Sequence, residues 1–197
     1  MGLDNHYLDF IMRHIEDQFR GRDQLRMLEL GDQIIVANPK YPSGLGKKYF
    51  ESLNYYHTSV DINGLHGAEV RDLTQPDQFL DLHDTFDILT NAGTTEHVEP
   101  YASQYECWRI LHDCCKTDSV MLHILPDVDE HDFRGHWIGH CPHYYSHKFF
   151  QNLSDNCGYL LLESTVIRGN RAVAMKKLAT SSFDISRELL LEGIARR

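Results

Sequence analysis

The chain has 197 residues, a length suited to one domain, and 42% of them are hydrophobic, enough for a core and against global disorder. Its formal charge of −10, with the basic residues scattered, argues against a face built to wrap nucleic acid. No apolar run approaches the roughly 18–20 residues needed to cross a bilayer. The opening MGLDNHYLDF lacks the basic and apolar regions of a signal peptide, and His6 breaks the myristoylation pattern. A soluble cytoplasmic protein, with neither nucleic acid nor membrane as partner, is the expectation. Cys107, Cys114, Cys115, Cys141 and Cys157 are odd in number and include no CxxC, so buried, reduced thiols are expected.

The pattern along the chain alternates. Residues 4–18 carry Leu8, Ile11, Met12 and Ile15 at helical spacing, with Asp4 as a candidate cap. RMLEL (residues 26–30) is a short apolar run stopped by Gly31, as a buried parallel strand would be. After a loop containing Pro39 and Pro42, Ser43 is placed to cap a helix to about residue 54. Strands over 57–62 and 68–73, a helical turn over 77–82 and a strand over 86–93 follow. A helix is predicted for 99–116, a strand for 119–126, and a helix opened by Pro142 and ending near residue 153. Segments 159–167 and 171–178 flank Gly169-Asn170 as an antiparallel hairpin, and Ser182 or Asp184 caps a last helix reaching Ile194.

Strands separated by helices imply right-handed crossovers and a parallel sheet covered on both faces. The hairpin adds one antiparallel strand. The prediction is a single α/β domain: a helical extension over 1–24, a core over 25–178 and a C-terminal helix over 179–197.

In such a sheet, ligands bind beyond the carboxyl ends of the strands, where strand order reverses. Those ends read Glu29-Leu30-Gly31-Asp32, Asp61-Ile62-Asn63, Asp72-Leu73 and Asn91-Ala92-Gly93-Thr94-Thr95-Glu96-His97. Three successive ends offer an acidic residue, which suits a ligand bearing hydroxyls, an amino group and a positive centre.

LELG, SVDIN, RDLT and FDILTNAGTTEHV, in that order, resemble motifs one to four of the class I S-adenosylmethionine-dependent methyltransferases, and the likeness covers most of residues 25–178. The resemblance implies a Rossmann-like three-layer sandwich with a mostly parallel seven-stranded sheet and an antiparallel C-terminal hairpin strand. It also implies S-adenosylmethionine as cofactor, S-adenosylhomocysteine as product, and methyl transfer to an oxygen or nitrogen of a small-molecule acceptor. On that basis Glu29 and Gly31 lie against the methionine end. Asp61, with Ile62 beside it, accepts hydrogen bonds from the ribose hydroxyls. Asp72 accepts one from the adenine amino group, Leu73 packs on the ring, and Asn91, Ala92 and Gly93 floor the pocket beneath the methyl.

The family continues its first motif as Gly-x-Gly-x-Gly, because absent side chains let backbone amides approach the ligand. Here Gly31 is followed by Asp32, Gln33 and two isoleucines, and Gly44 and Gly46 lie too far along to replace the missing glycines without a rearranged loop. A noncatalytic relative that binds a ligand or partner is therefore the alternative. A P-loop is excluded, since Lys48 stands where Ser or Thr must follow Gly46-Lys47.

Histidines cluster after the fifth strand: His123, His131, His136, His140, His143 and His147. On a helix opened by Pro142, His143 and His147 would share one face and form a possible metal pair. With no HExxH and the carboxylates elsewhere, no metal site is assigned. The segment, with Trp137, Tyr144 and Tyr145, reads as a lid over an acceptor pocket or a plain surface; a histidine-rich metal-binding protein is the weaker third reading. As general base, His97 is the first candidate, with Glu96 beside it and His140 and His143 behind; a helix-capping or packing role for His97 stands equally open. Neither the acceptor nor the oligomeric state is written in these motifs.

Overall fold

The computed structural model describes residues 2–36, 38–128 and 139–196. The first helix, α1 (Asn5–Phe19), starts where the Asp4 carboxylate accepts the free amides of His6 and Tyr7. Strand β1 (Arg26–Leu30) follows, then two short strands, β2 (Ile34–Ile35) and β3 (Gly44–Leu45), paired antiparallel. Because β3 takes up Gly44 and Leu45, helix α2 (Gly46–Ser52) begins two residues later than the Ser43 cap predicts and has no side-chain cap.

Strand β4 (Tyr56–Asp61) is close to expectation, whereas the predicted strand over 68–73 shrinks to β5 (Glu69–Val70). Beyond Val70 the chain leaves the sheet: Arg71 pairs with Glu69 and Asp81, and the Asp72 amide donates to Gln78 Oε1 at 2.8 Å. A 3₁₀ turn (Pro76–Leu82) leads into β6 (Phe86–Ala92), which is buried along its whole length as a strand covered on both faces must be. Helix α3 (Gln104–Cys114) is shorter than predicted at both ends. A separate 3₁₀ turn (Tyr101–Ser103) precedes it, and Cys115 already belongs to β7 (Cys115–Pro126).

The largest departure follows Pro142, which opens no helix. Strand β8 (His143–Tyr145) comes first, and helix α4 (His147–Cys157) starts only where the Ser146 hydroxyl accepts the Phe149 amide at 3.1 Å. His143 is therefore buried in a strand while His147 is exposed on the first turn of α4, and they form no helical metal pair. His131, His136 and Trp137 lie outside the described residues. Strands β9 (Tyr159–Ile167) and β10 (Asn170–Lys177) form the expected hairpin. The last helix, α5 (Arg187–Glu192), is capped by Ser186, not by Ser182 or Asp184. Ile194 belongs instead to strand β11 (Ile194–Arg196), which pairs antiparallel with β8.

Among the described residues the main sheet has seven strands in the order β5-β4-β1-β6-β7-β10-β9. Its pairs are parallel from β5 to β7, and β10 runs antiparallel between β7 and β9. Helices cover both faces. Tyr7, Leu8, Phe10 and Ile11 of α1 and Phe50 of α2 pack with Met27, Ile88 and Leu122. On the other face Trp108 of α3 meets Phe149 of α4 with ring centroids 4.7 Å apart, over Leu28, Leu89 and Met121. Each such fully buried aliphatic or aromatic side chain contributes about 1.5–3 kcal/mol, so the sheet is clamped from both sides. All five cysteines are buried free thiols, and no helix of the described residues is long and apolar enough to cross a membrane. This is the parallel sheet covered on both faces that the alternation of strands and helices predicts, with the three layers and seven strands that the resemblance implies.

Candidate functional site

The chain runs from β1 outward to β4 and β5, then returns to lay β6 on the other side of β1. That reversal opens a crevice at the carboxyl ends of β1 and β6, where an open parallel sheet holds its ligands. A cavity of about 560 Å³ occupies it, within the range that takes a cofactor-sized molecule. Gly31, Asp61, Ile62, Asp72, Leu73, Gly93 and His97, all named from the sequence, line it. Glu29, Asn91, Ala92, Glu96, His140 and His143 are not among its lining residues.

Gly31 turns the chain out of β1 at φ +82°, a conformation that disfavours any residue with a Cβ. Its amide donates to Val60 O at 2.8 Å, and the next amide, of Asp32, donates to Asp61 Oδ2 at 3.2 Å. Gln33 stands where the family keeps its second glycine. Its side chain is buried, with Nε2 donating to Ala92 O at 2.9 Å and Leu30 O at 3.3 Å, so the amide ties the loop to the ends of β1 and β6. The β2–β3 pair then folds the insert back on itself and delivers Gly46 to the same place. Its amide donates to Gln33 O at 2.9 Å, and a Cβ there would lie 2.8 Å from Glu29 Oε2. This is the rearranged loop that a glycine so far along the chain requires.

Glu29 sits behind the loop. Its Oε1 accepts the Gln33 amide at 3.3 Å, while Oε2, 3.6 Å from His57 Nε2, has no hydrogen-bond partner. Burial raises its pKa. The parallel register of β1 and β4 brings the buried His57 imidazole there, stacked on Phe50. Glu29 thus supports the loop from beneath.

At the opposite end, Asp61 Oδ1 accepts the Asn63 amide at 2.9 Å and Asp72 Oδ1 the Thr74 amide at 2.8 Å. A carboxylate has about four lone-pair sites, so both keep acceptor capacity for a ligand. Ile62 is 73% exposed at the rim and Leu73 is 8% exposed, which puts two apolar surfaces on the same cavity. The charged side chains of the wall are Asp32, Asp61, Asp72 and Glu99 against Arg71, a field that suits a cationic ligand.

The third end follows β6. Asn91 is fully buried; its Nδ2 donates to Thr95 Oγ1 at 2.9 Å and its Oδ1 accepts the Thr95 amide at 3.3 Å, which anchors the 3₁₀ turn Thr95–His97. Gln104 of α3 holds the turn from outside, donating to the carbonyls of Thr95 (2.8 Å) and Val98 (2.9 Å). Glu96 is fully buried, neither carboxylate oxygen has a hydrogen-bond partner, and burial pushes its pKa up to about 8. His97 Nε2 lies 3.8 Å from Glu96 Oε1, and the His97 and His140 rings meet edge to face with centroids 5.2 Å apart. Burial and the neighbouring His140 lower the His97 pKa, so its ring is neutral and able to accept a proton. His143 is occupied elsewhere: its Nε2 donates to Val98 O at 3.0 Å.

Gln33 and Gln104 hold the site in ways that sequence reasoning missed, and Gly46 returns to it although it lies far along the chain. Gly46 and Gln33 have no local signal, since their roles depend on where the insert returns. Gln104 had one: an uncharged polar side chain among the apolar positions of α3.

No protein-family model matches the chain, and no curated protein matches it in sequence. Solved structures do match its fold. One is a 1,6-didemethyltoxoflavin-N1-methyltransferase from Burkholderia thailandensis, with 1,6-didemethyltoxoflavin and S-adenosylhomocysteine bound. It superposes with a TM-score of 0.57 at 14% identity, over 88% of this chain and 77% of that one. A SAM-dependent methyltransferase from Archaeoglobus fulgidus matches with a TM-score of 0.57 at 13% identity, over 87% and 94% of the two chains. The N-methyltransferase NodS from Bradyrhizobium japonicum, in complex with S-adenosylhomocysteine, gives 0.57 at 10% identity, over 88% of each. The chain therefore has the fold of the class I S-adenosylmethionine-dependent methyltransferases.

Proposed function

Starting from that fold, we propose that the protein is an S-adenosylmethionine-dependent methyltransferase that methylates an oxygen or nitrogen of a small-molecule acceptor. The observation that carries the reading is the convergence of Gly31, Asp61, Asp72 and Gly93, in the motif order of the family, on one cavity at the switch point of the sheet. Bound there, S-adenosylmethionine supplies a methyl group activated by a sulfonium charge. Asp61 takes the ribose hydroxyls, Asp72 the adenine amino group, and Ile62 and Leu73 flank the ring. The acidic wall favours the sulfonium over the neutral thioether product.

Much of the catalysis in such a transfer is positioning, because the nucleophile must be held in line with the methyl. His97, in the cavity wall and neutral, accepts the proton that an acceptor hydroxyl or amine must lose. The fold neighbour from Burkholderia thailandensis was solved with 1,6-didemethyltoxoflavin bound, which supports a small-molecule acceptor here. A second reading, a binder without turnover, has one observation in its favour: Gln33 in place of the second glycine.

Calorimetric titration of the tag-free chain with S-adenosylhomocysteine tests the proposal. Binding in the micromolar range is expected. The enzyme reading fails if nothing binds at millimolar ligand, a free energy weaker than about 4 kcal/mol.

A further inference from the structure

Glu96 and His97 come from the turn after β6, and His140 from the segment before β8. Their candidate ligand atoms all lie within 4.8 Å of one another, with His97 Nε2 3.8 Å from Glu96 Oε1. Glu96 is completely buried and neither of its oxygens has a hydrogen-bond partner, so the fold holds an acid group out of water with only the His97 ring, 3.8 Å away, facing it. The two imidazoles stand at the surface over that carboxylate. A buried acid beneath two exposed histidines is the arrangement a cation satisfies.

We propose that Glu96, His97 and His140 bind a divalent transition-metal ion of the Zn²⁺ type beside the cavity, against the part of its wall that His97 forms. The donor set decides the class of ion. Two imidazoles and one carboxylate suit Zn²⁺ and its first-row neighbours, whereas Mg²⁺ and Ca²⁺ prefer all-oxygen sets. Three protein ligands leave a coordination position open, the mark of a site that handles a ligand rather than one that only braces the fold. Bonds of about 2.0–2.1 Å place tetrahedral ligand atoms about 3.4 Å apart. Closing the site from its present spacing takes a shift of about an ångström, which the two exposed histidines can make.

Since His97 also lines the cavity, the ion would lie beside the space that the methyltransferase reading gives to the acceptor. This part of the inference rests on the methyltransferase reading, and it narrows the acceptor to one with a metal-binding hydroxyl. On the ion the hydroxyl gives up its proton to water. Its oxygen then forms the new bond to the methyl carbon as the sulfur–methyl bond breaks and the electron pair stays on sulfur, leaving the thioether. In that state His97 acts through the ion rather than as a free base.

The test uses the full chain with its tag removed, stripped with a chelator and titrated with Zn²⁺ against a chromophoric competitor. Co²⁺ serves as a visible-absorption probe of coordination. One ion per chain is expected, with affinity lowered at least tenfold in Glu96→Gln and in His140→Ala, and unchanged in His147→Ala. His140 is exposed, so its variant keeps the question open to refutation if the Glu96 variant fails to fold. Absence of stoichiometric binding at micromolar Zn²⁺, or wild-type affinity in His140→Ala, overturns the site. Titrating the same preparations with S-adenosylhomocysteine separates the two proposals. Cofactor binding without metal binding removes the ion and leaves the methyltransferase reading standing, and metal binding alone does the reverse.

Discussion

Replacing Gly31 by alanine probes how the loop after β1 is held. A Cβ at Gly31 would lie 2.6 Å from Thr94 Oγ1 and 2.8 Å from Gln33 Nε2, and neither atom is idle. Thr94 donates to Leu30 O at 2.9 Å, and Gln33 Nε2 to Ala92 O at the same distance. The left-handed backbone alone costs an L-residue about 1–2 kcal/mol, and displacing a buried donor adds about 1–3 kcal/mol. Gly21 provides the control: its φ is +74°, but nothing lies within 4 Å of an added Cβ. Gly21→Ala should therefore cost only the backbone strain, about 1–2 kcal/mol, and Gly31→Ala about 2–5 kcal/mol. At roughly 2–4 °C per kcal/mol for a chain of this size, the melting points should separate by several degrees, and urea titrations should give the same ranking. If Gly31→Ala is no worse than Gly21→Ala, the inward Gln33 amide is not what supports the loop. The larger side chain of Gly31→Val meets the same two neighbours, so the loop itself should be lost and not ligand binding alone.

Other outcomes follow from the site and the core. Asp61→Ala should weaken S-adenosylhomocysteine binding by about 1.5–3 kcal/mol, the value of a charged acceptor; unchanged calorimetric affinity in a folded variant would remove Asp61 from the site. His97→Ala should slow turnover by roughly 10²- to 10⁴-fold while cofactor affinity stays near wild type, and equal loss of both would mark a structural role. Burial and the Lys177 charge press the His112 imidazole down to about 4. Unfolded, the same ring titrates near pH 6.5, so below that pH the unfolded chain takes up a proton that the native state refuses. This contribution to stability is intact above pH 6.5 and lost as pH falls towards 4, a loss of roughly 2–3 kcal/mol. His112→Phe should flatten that part of the stability profile, and parallel profiles for the two proteins in urea unfolding would refute the assignment.

What could be read from the sequence was local. The apolar runs of β1 and β6, the cap at Asp4 and the Gly169-Asn170 turn each announce themselves within a few residues, and strand ends then point to Gly31, Asp61 and Asp72. What escaped depends on partners distant along the chain. Residues 143–145 form a strand because residues 194–196 lie beside them, so Pro142 and the aromatic run after it misled a helical reading. Glu96, His97 and His140 were each visible as candidates, yet nothing local says that the segment before β8 returns over the turn after β6. The missing glycines show the same limit: pattern counts them along the chain, whereas the loop uses whichever glycine is near in space.

The β2–β3 pair has a consequence for how this chain can change in length. Its register, Ile34 opposite Leu45 and Ile35 opposite Gly44, holds the two ends of the insert one strand spacing apart, about 4.8 Å, whatever lies between them. Leu3 braces the stem through Ile34 O and the Val36 amide, and the Tyr41 hydroxyl donates to Asp9 at 2.6 Å to tether the tip. Loop-closure entropy grows slowly with length, by about 0.6 kcal/mol per doubling, so residues added near Pro39 and Lys40 should cost little and leave the spacing of Glu29, Gln33 and Gly46 untouched. The tip is thus the place where insertions and deletions can accumulate, or a reporter peptide be grafted, without passing through the Gly31–Gln33 loop.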